Sequence, residues 1–212
     1  MYSDEGLQTT SLSSNISAVD LFCGAGGLTH GLENSGIAVT LGVDNDPRCE
    51  YPYTTNNNAS FLLKSVDDVC GREIEAHFRP ATMRLLAGCA PCQTFSTYNQ
   101  KAKSSDGRWW LLKQFSRLIG ETSPEFVTME NVPGLMHHNV FIDFVMQLEK
   151  KEYLLDYKVI NCAEYGLAQQ RSRLVLLASK LGKIRLLTPA ECRKKSRSVR
   201  DAIGNLPPLK AG

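Results

Sequence analysis

Short apolar runs that suit buried strands alternate along this chain with stretches of helical periodicity. The runs cover residues 18–23, 37–43, 61–63, 83–87, 126–129, 159–162 and 174–178. Two later segments place apolar residues on one helical face: Leu111, Phe115, Leu118 and Ile119, and then Val140, Phe144 and Leu148. This alternation predicts an α/β fold with a mostly parallel sheet and helices on both faces. Ligands of such sheets bind at the carboxyl ends of the strands.

The 212 residues are enough for one domain, and the 42% hydrophobic and 22% charged composition is that of an ordinary globular protein. We predict a disordered polar tail over residues 1–17, one folded domain over 18–186 and a linker over 187–212. Residues 171–212 contain eleven Lys/Arg and two acids, a net charge of +9, whereas the rest of the chain carries −7. A basic end on an acidic body indicates contact with a polyanion, although a solvated charged tail is equally compatible with the charge alone.

The chain has seven cysteines and neither a secretory signal nor an apolar run of membrane-spanning length. We therefore expect free thiols, a cytoplasmic location and no membrane contact. No second closely spaced Cys/His pair accompanies the Cys-x-x-Cys of residues 89–92, so we expect no metal site.

A glycine-rich loop follows the first strand and opens a helix, over residues 20–27. Gly24, Gly26 and Gly27 allow a sharp turn and a close backbone approach to a ligand. Asp44 ends the second strand, where an acid is placed to accept ribose hydroxyls. The pattern favours a nucleoside-bearing cofactor, either NAD or S-adenosylmethionine, but a purely structural turn is an alternative. Asp46 has its own alternative as a helix cap.

A second motif, Gly-Cys-Ala-Pro-Cys-Gln over residues 88–93, follows the fourth strand. It is compatible with a redox dithiol of Cys89 and Cys92, or with a single nucleophilic thiolate, Cys92, at the tip of a strand. Glu130 ends the fifth strand, so neighbouring parallel strands bring it to the same rim as Cys92. A carboxyl group does not serve a dithiol, but it can protonate or hydrogen-bond N3 of a cytosine and so make C6 accept a thiolate, a general-acid effect of about 10² to 10⁴ in rate.

These motifs, together with Gln169-Gln170-Arg171-Ser172-Arg173, resemble in order and spacing the signature of the DNA cytosine-C5 methyltransferases. The similarity runs from about residue 18 to the end of the chain. It implies a Rossmann-like methyltransferase fold, S-adenosyl-L-methionine as cofactor and double-stranded DNA as substrate.

The resemblance also implies roles for individual residues. Phe22 and the glycine loop hold the cofactor, Asp44 takes the ribose, and Asn45 lies on the adenine side. Pro91 and Cys92 face a base that has left the DNA stack. Arg173 holds the cytosine carbonyl, and Arg171 braces the loop or a phosphate, tasks that suit a rigid guanidinium fork. The polar segment 94–110 matches the loop that closes over DNA.

Three departures from the family pattern stand out. Ser65 occupies the place of the acid that contacts the adenine amino group, and Asp67 or Asp68 is a candidate substitute. Ala90 and Ala168 replace residues that are often proline. The similarity also stops before the family's target-recognition domain and its last helix, so we expect a second polypeptide that supplies recognition.

Four hypotheses therefore follow from the sequence. The chain is a methyltransferase, perhaps one part of a split enzyme; or an inactive remnant or DNA-binding module; or a dithiol oxidoreductase; or a member of the related tRNA-methylating branch. DNA is favoured over tRNA as the substrate. Exposed apolar surface is expected where the last helix of the family packs.

Overall fold

The computed structural model describes residues 15–80, 82–91, 110–192 and 194–207. Within these ranges the chain forms a single seven-stranded sheet. The strands are β1 (Ile16–Leu21), β2 (Ala38–Asp44), β3 (Ser60–Leu63), β4 (Met83–Gly88), β5 (Phe126–Asn131), β6 (Leu154–Asn161) and β7 (Ser172–Ser179).

The strand order is β3-β2-β1-β4-β5-β7-β6. The first five strands are parallel, and β7 is inserted antiparallel between β5 and β6. The chain moves to opposite sides of β1 through β2 and β4, so the strand order reverses there. A crevice forms at such a switch point, outside the carboxyl ends of the strands. The loops after β1, β2, β3, β4 and β5 all begin at this edge.

Helices cover both faces of the sheet, as the alternating pattern predicted. They are α1 (Gly27–Asn34), α2 (Glu50–Asn56), α3 (Gly71–Glu75), α4 (Trp110–Thr122), α5 (Asn139–Lys150), α6 (Pro189–Cys192) and α7 (Val199–Ile203). The larger apolar core lies beneath α3, α4 and α5, where Phe115 and Phe144 stack with their ring centroids 5.8 Å apart. The smaller core lies on the other face beneath α1 and α2, around Tyr53. The α/β fold class and the helical faces of α4 and α5 are thereby confirmed.

The main difference from the sequence prediction is strand β6, which begins at Leu154 rather than at residue 159. Its first half contains Asp156 and Lys158, and it lies at the edge of the sheet. An edge strand is only half covered, so it does not need the continuous apolar run by which buried parallel strands are recognised. Strand β1 begins at Ile16, inside the predicted polar tail, and residues 1–14 of that tail lie outside the described residues. No helix of the described part of the chain is long and apolar enough to cross a membrane.

Candidate functional site

The loop after β1 has the close approach that its glycines predicted. Gly24 and Gly26 have φ values of 53° and 92°, and Phe22 also has a positive φ of 58°. A Cβ on Gly26 would lie 2.2 Å from the side-chain nitrogen of Asn57, so only glycine fits there. The space around Gly24 is open, and its N–H is directed to the next loop, where it donates to Asp44 Oδ2 at 2.9 Å. Gly27 starts helix α1.

Asp44 lies at the end of β2 and joins the two loops. Its Oδ2 accepts the Gly24 N–H and its Oδ1 accepts the Asp46 N–H at 3.0 Å. An ionised carboxylate has about four acceptor positions, so about two remain for a ligand diol. Asp46 instead accepts the N–H of Arg48 at 3.0 Å and caps the turn Pro47–Cys49, which is the structural alternative that the sequence offered.

A cavity of about 240 Å³ opens at this edge of the sheet. Phe22, Asp44 and Asn45 line one part of it, and Ser65 and Val66 line another. Pro91 and Cys89, after β4, and Leu111, in α4, complete the lining. Four of the predicted cofactor residues, Phe22, Asp44, Asn45 and Pro91, are therefore brought together.

Asp68 takes a different position from the one that a cofactor contact requires. Among the described residues that line the cavity, the loop after β3 contributes Ser65 and Val66 rather than Asp68. The Asp68 N–H donates back to the Ser65 carbonyl at 3.0 Å, which closes the turn that presents Ser65. Asp68 supports the shape of this loop.

The lining has the chemistry of a nucleoside site. A nucleoside needs flat apolar walls for its base, which Phe22, Val66 and Leu111 offer, and acceptors for its hydroxyls, which Asp44 offers. The residues present thus fit a cofactor built on adenosine.

The motif after β4 is anchored to the motif after β5. The side-chain amide of Asn131, which is 5% exposed, donates to the Ala90 carbonyl at 2.9 Å, and its oxygen accepts the Val132 N–H at 2.8 Å. Pro91 follows immediately and lines the cavity. Cys92 itself, and the segment 92–109 with the basic side chains predicted to meet DNA, lie outside the described residues.

Glu130 lies at the same edge and meets both predicted arginines. Arg173 Nε is 2.7 Å from Glu130 Oε1, and Arg171 Nη2 is 3.8 Å from the same oxygen. The pairing follows from register, because β5 and β7 are antiparallel neighbours and Arg173 precedes the residues that pair with Asn131 and Glu130. Arg173 also donates through Nη1 to the Ser172 carbonyl at 2.8 Å. In this structure Arg173 orients the carboxyl group of Glu130, and its expected contact with a cytosine carbonyl stays a prediction.

Cys89 is placed to remain a neutral thiol. Burial, followed by the charges of Asp20 and Glu130, raises the pKa of the Cys89 thiol. A thiol must ionise to act as a nucleophile or to exchange with a disulfide. Cys89 is therefore poorly suited to the dithiol chemistry that the Cys-x-x-Cys spacing allowed.

Asp20 is a buried acid to which the sequence reasoning gave no role of its own. It has no exposed surface, and burial raises its pKa to about 7. Thr29 Oγ1 donates to Asp20 Oδ2 at 2.8 Å and lies 3.0 Å from the Tyr53 hydroxyl, while Asp20 Oδ1 has no partner. Since Thr29 has one proton, Tyr53 must be the donor in its contact with Thr29. The signal in the sequence was an acid at the end of an otherwise apolar buried strand.

The fold and this edge together define an α/β protein with a nucleoside-type cavity at its switch point, beside a carboxyl–arginine cluster. The model of the family described as C-5 cytosine-specific DNA methylase matches residues 16–210. The chain belongs to this family.

Relatives with curated descriptions agree with this membership. The chain is 46% identical over 191 residues to the type II methylase M.HgiDII of Herpetosiphon aurantiacus, covering 89% of this chain and 54% of that protein. It is 35% identical to the type II methyltransferase M.XorII of Xanthomonas oryzae pv. oryzae, covering 89% of this chain and 46% of that protein. It is 26% identical to the type II methyltransferase M.AquIA of Picosynechococcus sp., and here the match covers 90% of this chain and 88% of the relative.

The chain thus spans about half the length of the first two relatives and most of the third. Among solved structures, a protein described as a DNA modification methyltransferase encoded within a prophage (E. coli) superposes with a TM-score of 0.74 at 23% identity. That match covers 92% of this chain and 56% of the other. At this identity the superposition supports the fold alone.

Proposed function

We propose that this chain transfers a methyl group from S-adenosylmethionine to C5 of a cytosine in DNA, through a covalent bond between Cys92 and C6 of a flipped base. The observation that carries the proposal is the joining of three motifs at one edge of the sheet. The Asn131 amide ties the backbone just before Pro91 and Cys92 to the strand that bears Glu130, and Pro91 lines the nucleoside cavity.

Chemistry begins with the thiol of Cys92, which adds to C6 as a thiolate. A neutral cytosine is a poor acceptor, so the addition needs a proton or a strong hydrogen bond at N3, which Glu130 supplies as the general acid. Arg173 holds Glu130 Oε1 at 2.7 Å and thereby fixes the direction in which the carboxyl group points. A fixed general acid avoids the loss of rate that misorientation of a catalytic group causes.

The addition makes C5 a nucleophile toward the methyl donor. When bound, S-adenosylmethionine supplies an electrophilic methyl group. Phe22 and Val66 enclose the base of the donor, and the remaining acceptor positions of Asp44 bind its ribose hydroxyls. Loss of the C5 proton to a base then breaks the bond between sulfur and C6, and the thiolate of Cys92 is restored.

DNA meets the same edge of the sheet and the basic C-terminal part of the chain. The net charge of +9 over residues 171–212 provides phosphate contacts, which position a duplex without reading its sequence. We propose that a second polypeptide, or a further part of the same protein, supplies the recognition of the target sequence. The cofactor, the DNA and this partner are parts of one proposal.

The test is methyl transfer from labelled S-adenosylmethionine to duplex DNA, combined with trapping on DNA that contains 5-fluorocytosine. The fluorine cannot leave as the C5 proton does, so the adduct with Cys92 persists and migrates as a covalent complex. We expect the wild-type chain, with its recognition partner present, to form the complex, Cys92→Ser to form none, and Glu130→Gln to form it at least about a hundredfold more slowly.

The controls separate this reaction from its rivals. Cys89→Ser should retain trapping, because the buried neutral thiol takes no part in the addition. Binding of DNA without transfer in any condition would instead indicate a binding module. Transfer that survives Cys92→Ser would contradict the covalent mechanism.

A further inference from the structure

The loop that follows β3 contributes a hydroxyl to the cofactor cavity where the family pattern has an acid. Ser65 and Val66 line the cavity on the side facing Asp44 and Phe22. The loop is fixed against β2 because the Lys64 N–H donates to the Asp44 carbonyl at 2.9 Å. A residue of this loop is thus held at a fixed distance from the carboxylate that meets the ribose.

Ser65 is hydrogen-bonded in a way that determines which groups it can meet. Its Oγ donates to Asp67 Oδ2 at 3.2 Å. A serine hydroxyl has one proton and two lone pairs. Once the proton is given to Asp67, the Ser65 oxygen can act toward any other group only as an acceptor.

Asp67 is held in place by a second donor from a distant part of the chain. The indole N–H of Trp110, the first residue of α4, donates to Asp67 Oδ1. Both oxygens of the carboxylate are therefore engaged, one by each donor. A further tie between α4 and this loop comes from Arg117, whose Nη2 donates to the Val66 and Val69 carbonyls at 3.1 and 2.9 Å.

We propose that Ser65, polarised by Asp67, is the acceptor for the exocyclic amine of the adenine ring, an inference that rests on the cofactor proposed above. The amine carries only hydrogens on this edge and needs an acceptor. The Ser65–Asp67 pair supplies one through a relay, with the negative charge one hydrogen bond behind the contacting oxygen. Asp68, the neighbouring acid, is turned away from the cavity and uses its N–H to close the loop.

The inference can be tested with two ligands that differ by the amine alone. One is S-adenosylhomocysteine, and the other is its analogue with hydrogen in place of the 6-amino group. Titration calorimetry on the wild-type chain should show at least about a tenfold preference for the amine, the value of one hydrogen bond to a charge-assisted acceptor. Ser65→Ala should reduce the preference to about twofold or less and leave the affinity for the analogue unchanged.

Two further variants distinguish a relay from a merely structural role. Asp67→Asn can accept from Ser65 or from Trp110 but not from both, so the preference should fall in part. Placing the acid directly, as Ser65→Asp in the Asp67→Asn background, should restore the preference without the relay. Glu75→Gln, an exposed charge change in α3, is the matched control and should leave the preference as in wild type.

The outcomes separate this inference from the function on which it rests. A preference that persists in both Ser65→Ala and Asp67→Asn, or that is lost in Asp68→Asn instead, would overturn the relay while the cofactor assignment stands. Failure of the wild-type chain to bind either ligand, in a sample whose far-ultraviolet dichroism shows it folded, would overturn the cofactor assignment and the relay with it.

Discussion

Replacing Asp20 with asparagine should change how the stability of the protein depends on pH. The wild-type carboxyl is buried and has a folded-state pKa of about 7, compared with 3.8 as its ordinary value. Because the folded-state pKa is the higher one, the unfolded chain releases this proton first as pH rises. The contribution of Asp20 is therefore fully present below pH 4 and is lost as pH rises toward 7.

The magnitude follows from the two pKa values. Each pH step between them removes about 1.4 kcal/mol from the free energy of unfolding. Between pH 4.5 and 7.5 the wild type should lose about 3 kcal/mol relative to Asp20→Asn, whose side chain does not titrate. Above pH 7.5 the difference should be nearly constant, since Asp20 is then ionised in both states.

The assay is urea unfolding followed by far-ultraviolet circular dichroism at half-unit steps from pH 4.5 to 8.5. The informative quantity is the difference between wild type and variant at each pH, because every other titrating group is common to both. Asp143→Asn, which replaces an exposed carboxylate on α5, serves as the control and should give a difference with little pH dependence. A flat difference for Asp20→Asn, or one that rises with pH, would refute the assignment of a buried acid that resists ionisation.

Three further substitutions test packing and positioning at this edge. Gly42→Ala would bring a Cβ within 2.3 Å of the Tyr53 hydroxyl and should destabilise the protein by about 1–3 kcal/mol in urea unfolding, whereas Gly31→Ala, in open space on α1, should be neutral or stabilising by up to about 1 kcal/mol. Asn131→Ala removes the amide that holds the Ala90 carbonyl and should slow methyl transfer at least about tenfold with little change in the affinity for S-adenosylhomocysteine; an unchanged rate would contradict the positioning role. Cys89→Ser should keep at least half of the transfer rate, and its loss of activity would revive the dithiol hypothesis.

The sequence predicted the elements that depend on local pattern. Five buried parallel strands give apolar runs with a polar residue at the carboxyl end, so Asp44 and Glu130 were placed at the correct edge before any coordinates. Strand β6 was placed five residues too late because an edge strand needs no apolar run. The glycine loop was predicted from its composition, but the requirement at Gly26 depends on Asn57 and Tyr53, which pattern alone does not bring there.

Interactions between motifs are the part of the site that local pattern leaves open. Arg173 was assigned to the substrate carbonyl, yet its Nε meets Glu130, because β7 enters the sheet antiparallel beside β5. Antiparallel insertion reverses which residues face each other, and nothing in the residues of β7 indicates that direction. A charged side chain next to a catalytic acid then has two competing partners, the acid and the substrate.

This competition yields a last prediction. With Arg173→Lys the charge stays but the rigid fork of donors is lost, and a point charge on a flexible stem orients a carboxyl group less well. We expect a fall in the transfer rate of about tenfold or more with unchanged binding of S-adenosylhomocysteine, since Arg173 does not line the cofactor cavity among its described residues. Glu130→Gln should make the same Arg173 substitution nearly silent, because the carboxylate to be oriented is gone. Full additivity of the two effects would show that Arg173 acts on the substrate independently of Glu130.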